Sequence, residues 1–338
     1  TPVISRSTTG IVAPACPIES SLSPKLSEIN QLNLEVQRSS PASGSSSKYE
    51  IIHKNLLEEI PKNQRTQFRI GIAQIGLSKS GDIVDEFFEK KPSGLLRVKQ
   101  DAIDSIKSSY IKMINEAKKN DVDLLIFPEM TIDLNYREIF KDLSNLAINT
   151  GIYIIPGSYH DEKTNKNISI VLSPDGVLWQ QEKHIPALIH FKGEKFKEKI
   201  DTSSYPRKTF VCDTEFGRIA IIICRDFLDM DLRVELKNIE PPVDIIINPA
   251  FTPVTDDFKA AHFDARRSIY AYCFFVNVAE FGESTIYTPE KDRTQRIIPS
   301  KQEGLIYKDI DLFRLRSERK KWEKQQKKEL QFIQSTRK

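Results

Sequence analysis

The sequence predicts a layered α/β fold with a mixed sheet, on three observations. Short apolar runs alternate with longer stretches whose apolar positions recur at helical spacing. A tight turn between two adjacent runs adds antiparallel pairing to the parallel pairing that crossover helices imply. The pattern then continues unbroken over residues 67–316, so one large domain accounts for most of the 338 residues.

Residues 1–48 lack a periodic apolar pattern and end in Ser39 to Ser47, where six of nine residues are serine, the composition of a flexible leader or linker. Thr1 opens the chain with neither an initiator Met nor a charged-then-apolar signal pattern, which reads as a piece of something longer and does not support secretion. Residues 49–66 read as a short helical connector, with one helix from Ile51 to Ile60 ahead of Pro61. Phe68 to Ile75 opens the domain as a strand. Leu96, Ile103, Ile106, Tyr110, Ile114 and Ala117 share one helical face, predicting a helix over 96–117. Val122 to Phe127 is a buried strand of the kind found in sheets covered on both faces. A helix through Leu143 to Asn149 and strands at Ile152 to Gly157 and Ile168 to Leu172 follow. Ser173-Pro174-Asp175-Gly176 is then a turn leading into Val177-Leu178-Trp179, a hairpin. Strands from Arg218 to Ile223 and Val243 to Pro249, a helix from Phe258 to about Ala271 and a strand from Cys273 to Val278 complete the core. Residues 317–338 read as a basic C-terminal helix or tail.

Hydrophobic residues make up 39% and charged residues 29%, and no apolar run approaches the ~18 residues of a membrane-spanning helix. The net charge of +3 is uneven: residues 67–313 carry 33 basic and 38 acidic side chains, while residues 314–338 carry 10 and 3. The folded body is acidic, which argues against nucleic-acid binding by it. The run from Arg314 to Lys328 reads as a solvated helix, with nucleic-acid contact through the tail the minority reading. Cys16, Cys212, Cys224 and Cys273 form no CxxC pair and are too scattered for a disulfide scaffold, so a reducing, cytoplasmic compartment is expected.

Three strand ends deliver reactive side chains, and sites in α/β folds collect where strands finish. Glu129 follows a buried strand in Phe127-Pro128-Glu129, where the proline ends the ladder. Lys183 follows the Val177 to Trp179 strand and precedes His184. Cys224 ends Ile221-Ile222-Ile223 ahead of Arg225-Asp226. Taken alone, a cysteine ending an apolar strand reads as inert core, and that reading stands for Cys212 and Cys273. His184, His190 and His262 read as packing or pocket-lining residues, not as ligands. Arg225 reads as a pocket-wall residue or an ion-pair partner of Asp226.

With these residues in that order the chain resembles the nitrilase, or carbon–nitrogen hydrolase, superfamily. The resemblance runs from about Phe68 to Arg319. It rests on Ala73-Gln74, Phe127-Pro128-Glu129, Ser173-Pro174-Asp175-Gly176, Glu182-Lys183-His184, Ile223-Cys224-Arg225-Asp226, Ile247-Asn248-Pro249-Ala250, Ala265-Arg266-Arg267, and the closing Glu303 to Leu312. It implies a four-layer α-β-β-α sandwich, two mixed sheets packed face to face, and commonly a homo-oligomer of dimers or higher. It also implies a Glu129-Lys183-Cys224 triad cleaving a non-peptide carbon–nitrogen bond of a small amide, nitrile or carbamoyl compound, without metal or cofactor. In that scheme Cys224 attacks, Glu129 is base and then acid, and Lys183 steadies the oxyanion with the Arg225 backbone N–H as a second donor. A second glutamate after the lysine is expected at Glu194, with Glu198 as the next candidate.

Two departures from the pattern affect the pocket. The loop between Asn277 and Ile286 is short, and only 54 residues separate Glu129 from Lys183. A competing reading makes the chain a nitrilase-like effector or interaction domain of a longer protein, as in fusions to synthetases or defence-system reverse transcriptases, with a silent or conditional triad.

Overall fold

The structure, a computed structural model, describes residues 37–38, 47–57, 66–290 and 296–336. Two mixed sheets form its centre. The first runs in the order Gly176–Glu182, Lys166–Ser173, Tyr153–Ile155, Leu124–Ile126, Gln67–Gln74 and Gly304–Asp311, with Ser158–Asp161 also paired to Lys166–Ser173. The second runs Gln37–Arg38, Tyr49–Asn55, Arg207–Thr214, Gly217–Ile221, Ile245–Pro249, Tyr272–Val276, Ser284–Tyr287 and Arg296–Ile298.

Because side chains alternate across a strand, runs that are apolar at every position are covered on both faces. Ile70, Ile72, Leu124, Ile126, Ile155 and Val171 turn inward and form one buried cluster with Cys212, Phe216, Ile219 and Ile221 of the second sheet. The intervening residues Ala73, Leu125, Ile154, Ile170 and Leu172 turn outward. There they meet the helices Ile103–Lys119 and Arg137–Thr150 through Ile106, Tyr110, Ile114, Ile139, Leu143 and Ala147. The helices Met230–Asn238 and Thr255–Ser268 contribute Leu232, Leu236, Phe258, Ala261 and Ala265 to the cluster of the second sheet. The expected α-β-β-α layering is what this alternation produces. Truncating a core residue of this kind to alanine costs ~2–5 kcal/mol.

Three expectations change. Residues 49–55 are not helical: Tyr49–Asn55 is a strand, paired in parallel with Arg207–Thr214 from Tyr49↔Arg207 to Asn55↔Asp213. Its isoleucines Ile51 and Ile52 are both buried, so sheet pairing with burial on both faces outweighs local helix propensity. The helix predicted from Leu96 begins at Ile103, and Leu96–Val98 instead pairs with Phe88–Lys90 as a hairpin. The C-terminal helix is Leu312–Thr336, starting inside the expected domain boundary, with Leu312 and Leu315 buried. Of the expected leader, only 37–38 and 47–48 fall within the described residues; Cys16 lies outside them. Among the described residues no helix is long and apolar enough to cross a membrane.

Candidate active site

Glu129 leaves the first sheet just beyond Leu124–Ile126. The Met130 N–H bonds Ser158 O at 2.6 Å, and Met130 has a left-handed φ of 64°. Gly157 makes this turn possible. Its φ is +77°, and a Cβ there would stand 1.7 Å from Pro128 O, so no larger residue fits without moving Glu129. Lys183 follows Gly176–Glu182 and is anchored by its backbone N–H to Asn167 O at 2.9 Å. Cys224 opens the short turn Cys224–Leu228 with φ 47°. A non-glycine residue in that region stores strain, and such strain concentrates at functional sites.

Asn248 clamps this turn, donating from Nδ2 to Ile222 O at 2.6 Å and Cys224 O at 3.2 Å. The Asn248 Oδ1 lies 3.0 Å from Nε2 of His262, which stacks on Phe227 with ring centroids 3.9 Å apart. Burial holds His262 well below the usual imidazole range, so it is neutral. Asp226 accepts from the backbone N–H of His184 at 2.8 Å and Ile185 at 2.7 Å, tying the cysteine turn to the lysine loop.

The three predicted reactive residues converge. Lys183 Nζ is 2.8 Å from Glu129 Oε1 and 2.8 Å from Glu198 Oε2. The Cys224 thiol lies within electrostatic reach of both Glu129 and Lys183. Burial foremost, then the Glu129 charge, pushes this thiol well above its ordinary range, so it rests protonated beside a carboxylate. Burial also opposes the Lys183 ammonium, but Glu129 and Glu198 overcome it and hold the amine well above its usual value. Glu198 is held below its usual range despite burial, by Lys183 and then His160.

The glutamate that the structure brings against Lys183 is Glu198, not Glu194. The hairpin Leu188–Phe191 with Glu194–Lys197 intervenes after Lys183. Glu194 is exposed on it, whereas Glu198 returns to the site just past its end. Arg225 is exposed and donates to Pro186 O at 3.2 Å; it neither walls the cavity nor meets Asp226, whose carboxylate is taken by backbone N–H groups. His184 is buried and bonds Lys208 O at 2.9 Å, while His190 is exposed on the hairpin. Cys212 and Cys273 are buried free thiols of the core.

Sequence reasoning missed Asn167 and His160. Asn167 Nδ2 donates to Glu129 Oε1 at 2.9 Å and Glu198 Oε1 at 3.0 Å, and His160 Nε2 lies 2.7 Å from Glu198 Oε1. Both sit on the inward face of neighbouring strands, opposite each other in register. The available signal was a polar alternation, Ser158 and His160, then Asn167 and Ser169, on otherwise apolar strands.

Glu129, Lys183, Glu198 and Cys224 are each 2–3% exposed. Beside them lies a cavity of about 30 Å³, walled by Phe88, Leu96, Met130, Ile189 and Phe251. The short Asn277 to Ile286 loop backs this wall: Phe281 packs edge-on against Phe251, which packs edge-on against Phe88.

The carbon–nitrogen hydrolase family model matches residues 104–320, more than half of the chain. No curated protein matches it. Among solved structures, the C. elegans NitFhit protein aligns with a TM-score of 0.57 and 15% identity, over 75% of this chain and 63% of that one. This chain therefore spans less than two thirds of that protein. An amidase from Nesterenkonia sp. AN1, with the acetamide moiety of fluoroacetamide bound covalently at its active-site cysteine, aligns with a TM-score of 0.52 and 13% identity, over 72% of this chain and 90% of that one. At such identities the likenesses speak for the fold, which is the one the two packed sheets display. The family match and the shared fold together bear out the motif resemblance: this chain belongs to the carbon–nitrogen hydrolase family of the nitrilase superfamily.

Proposed function

We propose that the chain is a thiol hydrolase that opens a non-peptide carbon–nitrogen bond of a small amide, nitrile or carbamoyl compound through a Cys224 thioester. The observation that carries this reading is the Lys183 ammonium held 2.8 Å from Glu129, with the Cys224 thiol in electrostatic reach of both. With an amide, the Cys224 sulfur attacks the carbonyl carbon as its proton passes to Glu129, and the oxyanion forms beside Lys183. Collapse breaks the C–N bond, Glu129 returns the proton to the departing amine, and the same carboxylate activates the water that hydrolyses the thioester. The Arg225 backbone N–H, one residue past the nucleophile, is the proposed second oxyanion donor. Asn167 and Glu198 hold the machinery in place.

Screening amides, nitriles and carbamoyl compounds for ammonia release tests this directly. Wild-type turnover is expected with at least one class. Glu129→Gln, Lys183→Ala and Cys224→Ala should each reduce it by about 10³-fold or more, because members of a catalytic unit fail together. Turnover that persists in Cys224→Ala would sink the proposal.

The narrow cavity favours one elaboration. With room for only about two waters, it fits a small substrate or a wall that shifts as one enters, in keeping with a domain whose activity is conditional on a partner or on the rest of a longer chain. A homo-oligomer and a reducing, cytoplasmic setting complete the proposal.

A further inference from the structure

His160 stands where three elements meet, and no step above uses it. It belongs to Ser158–Asp161, is 1% exposed, and lines the cavity. Its Nε2 is 2.7 Å from Glu198 Oε1; its Nδ1 is 3.0 Å from the Leu96 backbone nitrogen and 3.2 Å from the Leu96 carbonyl oxygen. A carboxylate can only accept, so Nε2 carries a hydrogen toward Glu198, while Nδ1 faces the Leu96 backbone.

Glu198 is thereby saturated. Oε1 accepts from His160 and from Asn167 at 3.0 Å, and Oε2 accepts from Lys183 and from the Ala187 N–H at 2.8 Å. A carboxylate offers about four lone-pair positions, and all four are filled. Three of these donors belong to strands or backbone. The fourth, the Lys183 ammonium, is the one on a flexible stem, and Glu129 competes for it at the same 2.8 Å. An unfilled lone pair on a buried carboxylate is costly, and the ammonium is the donor free to swing toward it.

We propose that His160 is a positioning residue: by filling one lone pair of Glu198 it leaves the Lys183 ammonium shared between Glu198 and Glu129, where it faces Cys224. This rests on the reading of Glu129, Lys183 and Cys224 as catalytic machinery. The competing role is a structural tie, through Nδ1, to the hairpin that carries Leu96.

Two substitutions separate the roles because each keeps one half of the imidazole. In His160→Gln the amide nitrogen reaches the Nε2 position and can still donate to Glu198. In His160→Asn the amide group reaches only the Nδ1 position, so its oxygen can accept from Leu96 while Glu198 loses its donor. The readout is the rate at which iodoacetamide alkylates Cys224 in the full chain, followed by peptide mass mapping across a pH series, which needs no substrate. His160→Gln is expected to keep the wild-type rate and pH profile, while His160→Asn falls about tenfold, the scale of a lost hydrogen bond to a buried charge. The reverse order, equal losses, or no loss in either variant would overturn the proposal while leaving the catalytic reading intact. A wild-type Cys224 that reacts no faster than Cys212 and Cys273, with no ammonia released from any substrate, overturns both.

Discussion

Asp226 receives two backbone N–H groups, and those bonds and Lys183 favour its charge, but burial wins and raises its carboxyl from the ordinary 3.8 to about 7. A raised folded-state value has a definite sign. The contribution to stability is fully present below the unfolded value and is lost as pH climbs toward 7. Thermal melts of wild type and Asp226→Asn should therefore diverge between pH about 4 and 7, the variant gaining on wild type as pH rises. Parallel curves would show that Asp226 stays ionised throughout. Glu198 has the opposite sign: held below its usual range, it contributes stability that disappears in acid. Glu129, Lys183 and Cys224 were legible in the sequence because each follows a run that reads as a strand, Cys224 at once and Lys183 after three polar residues. His160 and Asn167 were not, because cross-strand register brings them to the site. Glu198 was displaced in the reading by a hairpin that delays it without leaving a local mark.

Among the elements, the C-terminal helix is the one most dependent on a few side chains. Asp244, fully buried at the start of a strand, accepts from Arg316 Nη2 at 2.6 Å and pairs with Arg319 at 3.2 Å. Arg319, 4% exposed, also donates to Val243 O at 2.7 Å and Tyr270 O at 3.1 Å. Removing Asp244 strands a buried guanidinium, so Asp244→Ala should lower stability by ~3–5 kcal/mol, read as a shifted urea midpoint. A shift of only a few tenths would mean that the carbonyls alone hold the helix. From the sequence this helix reads as a detached basic tail, since its charges are plain and its anchor, Asp244, lies about seventy residues upstream. The turn at Gly157 belongs to the same scale. Gly157→Ala should cost activity more than stability, because the atom it displaces is Pro128 O, next to Glu129.

For the molecule as a whole, the layered fold was legible because it depends on alternation, which every core strand carries. Where the domain begins was not. Tyr49–Asn55 lies beyond a break in the apolar pattern, at Pro61 and the polar run after it, yet it pairs into the second sheet. A chain beginning at Phe68 would leave Arg207–Thr214 as a bare edge. It is expected to unfold at lower urea and to aggregate more readily than one beginning at Ser47. Equal midpoints would show that Tyr49–Asn55 is dispensable.

The strand that opens the first sheet is paired along its whole length with the one that closes it, from Gln67↔Asp311 to Gln74↔Gly304. Contacts this distant in sequence slow folding. They also impose an order on synthesis: Gln67–Gln74 leaves the ribosome long before Gly304–Asp311 and keeps one flank open until the rest of the domain has emerged. A translation product that stops short of Gly304 carries every residue placed at the site but an unsealed sheet, and is a natural target for chaperones and proteases.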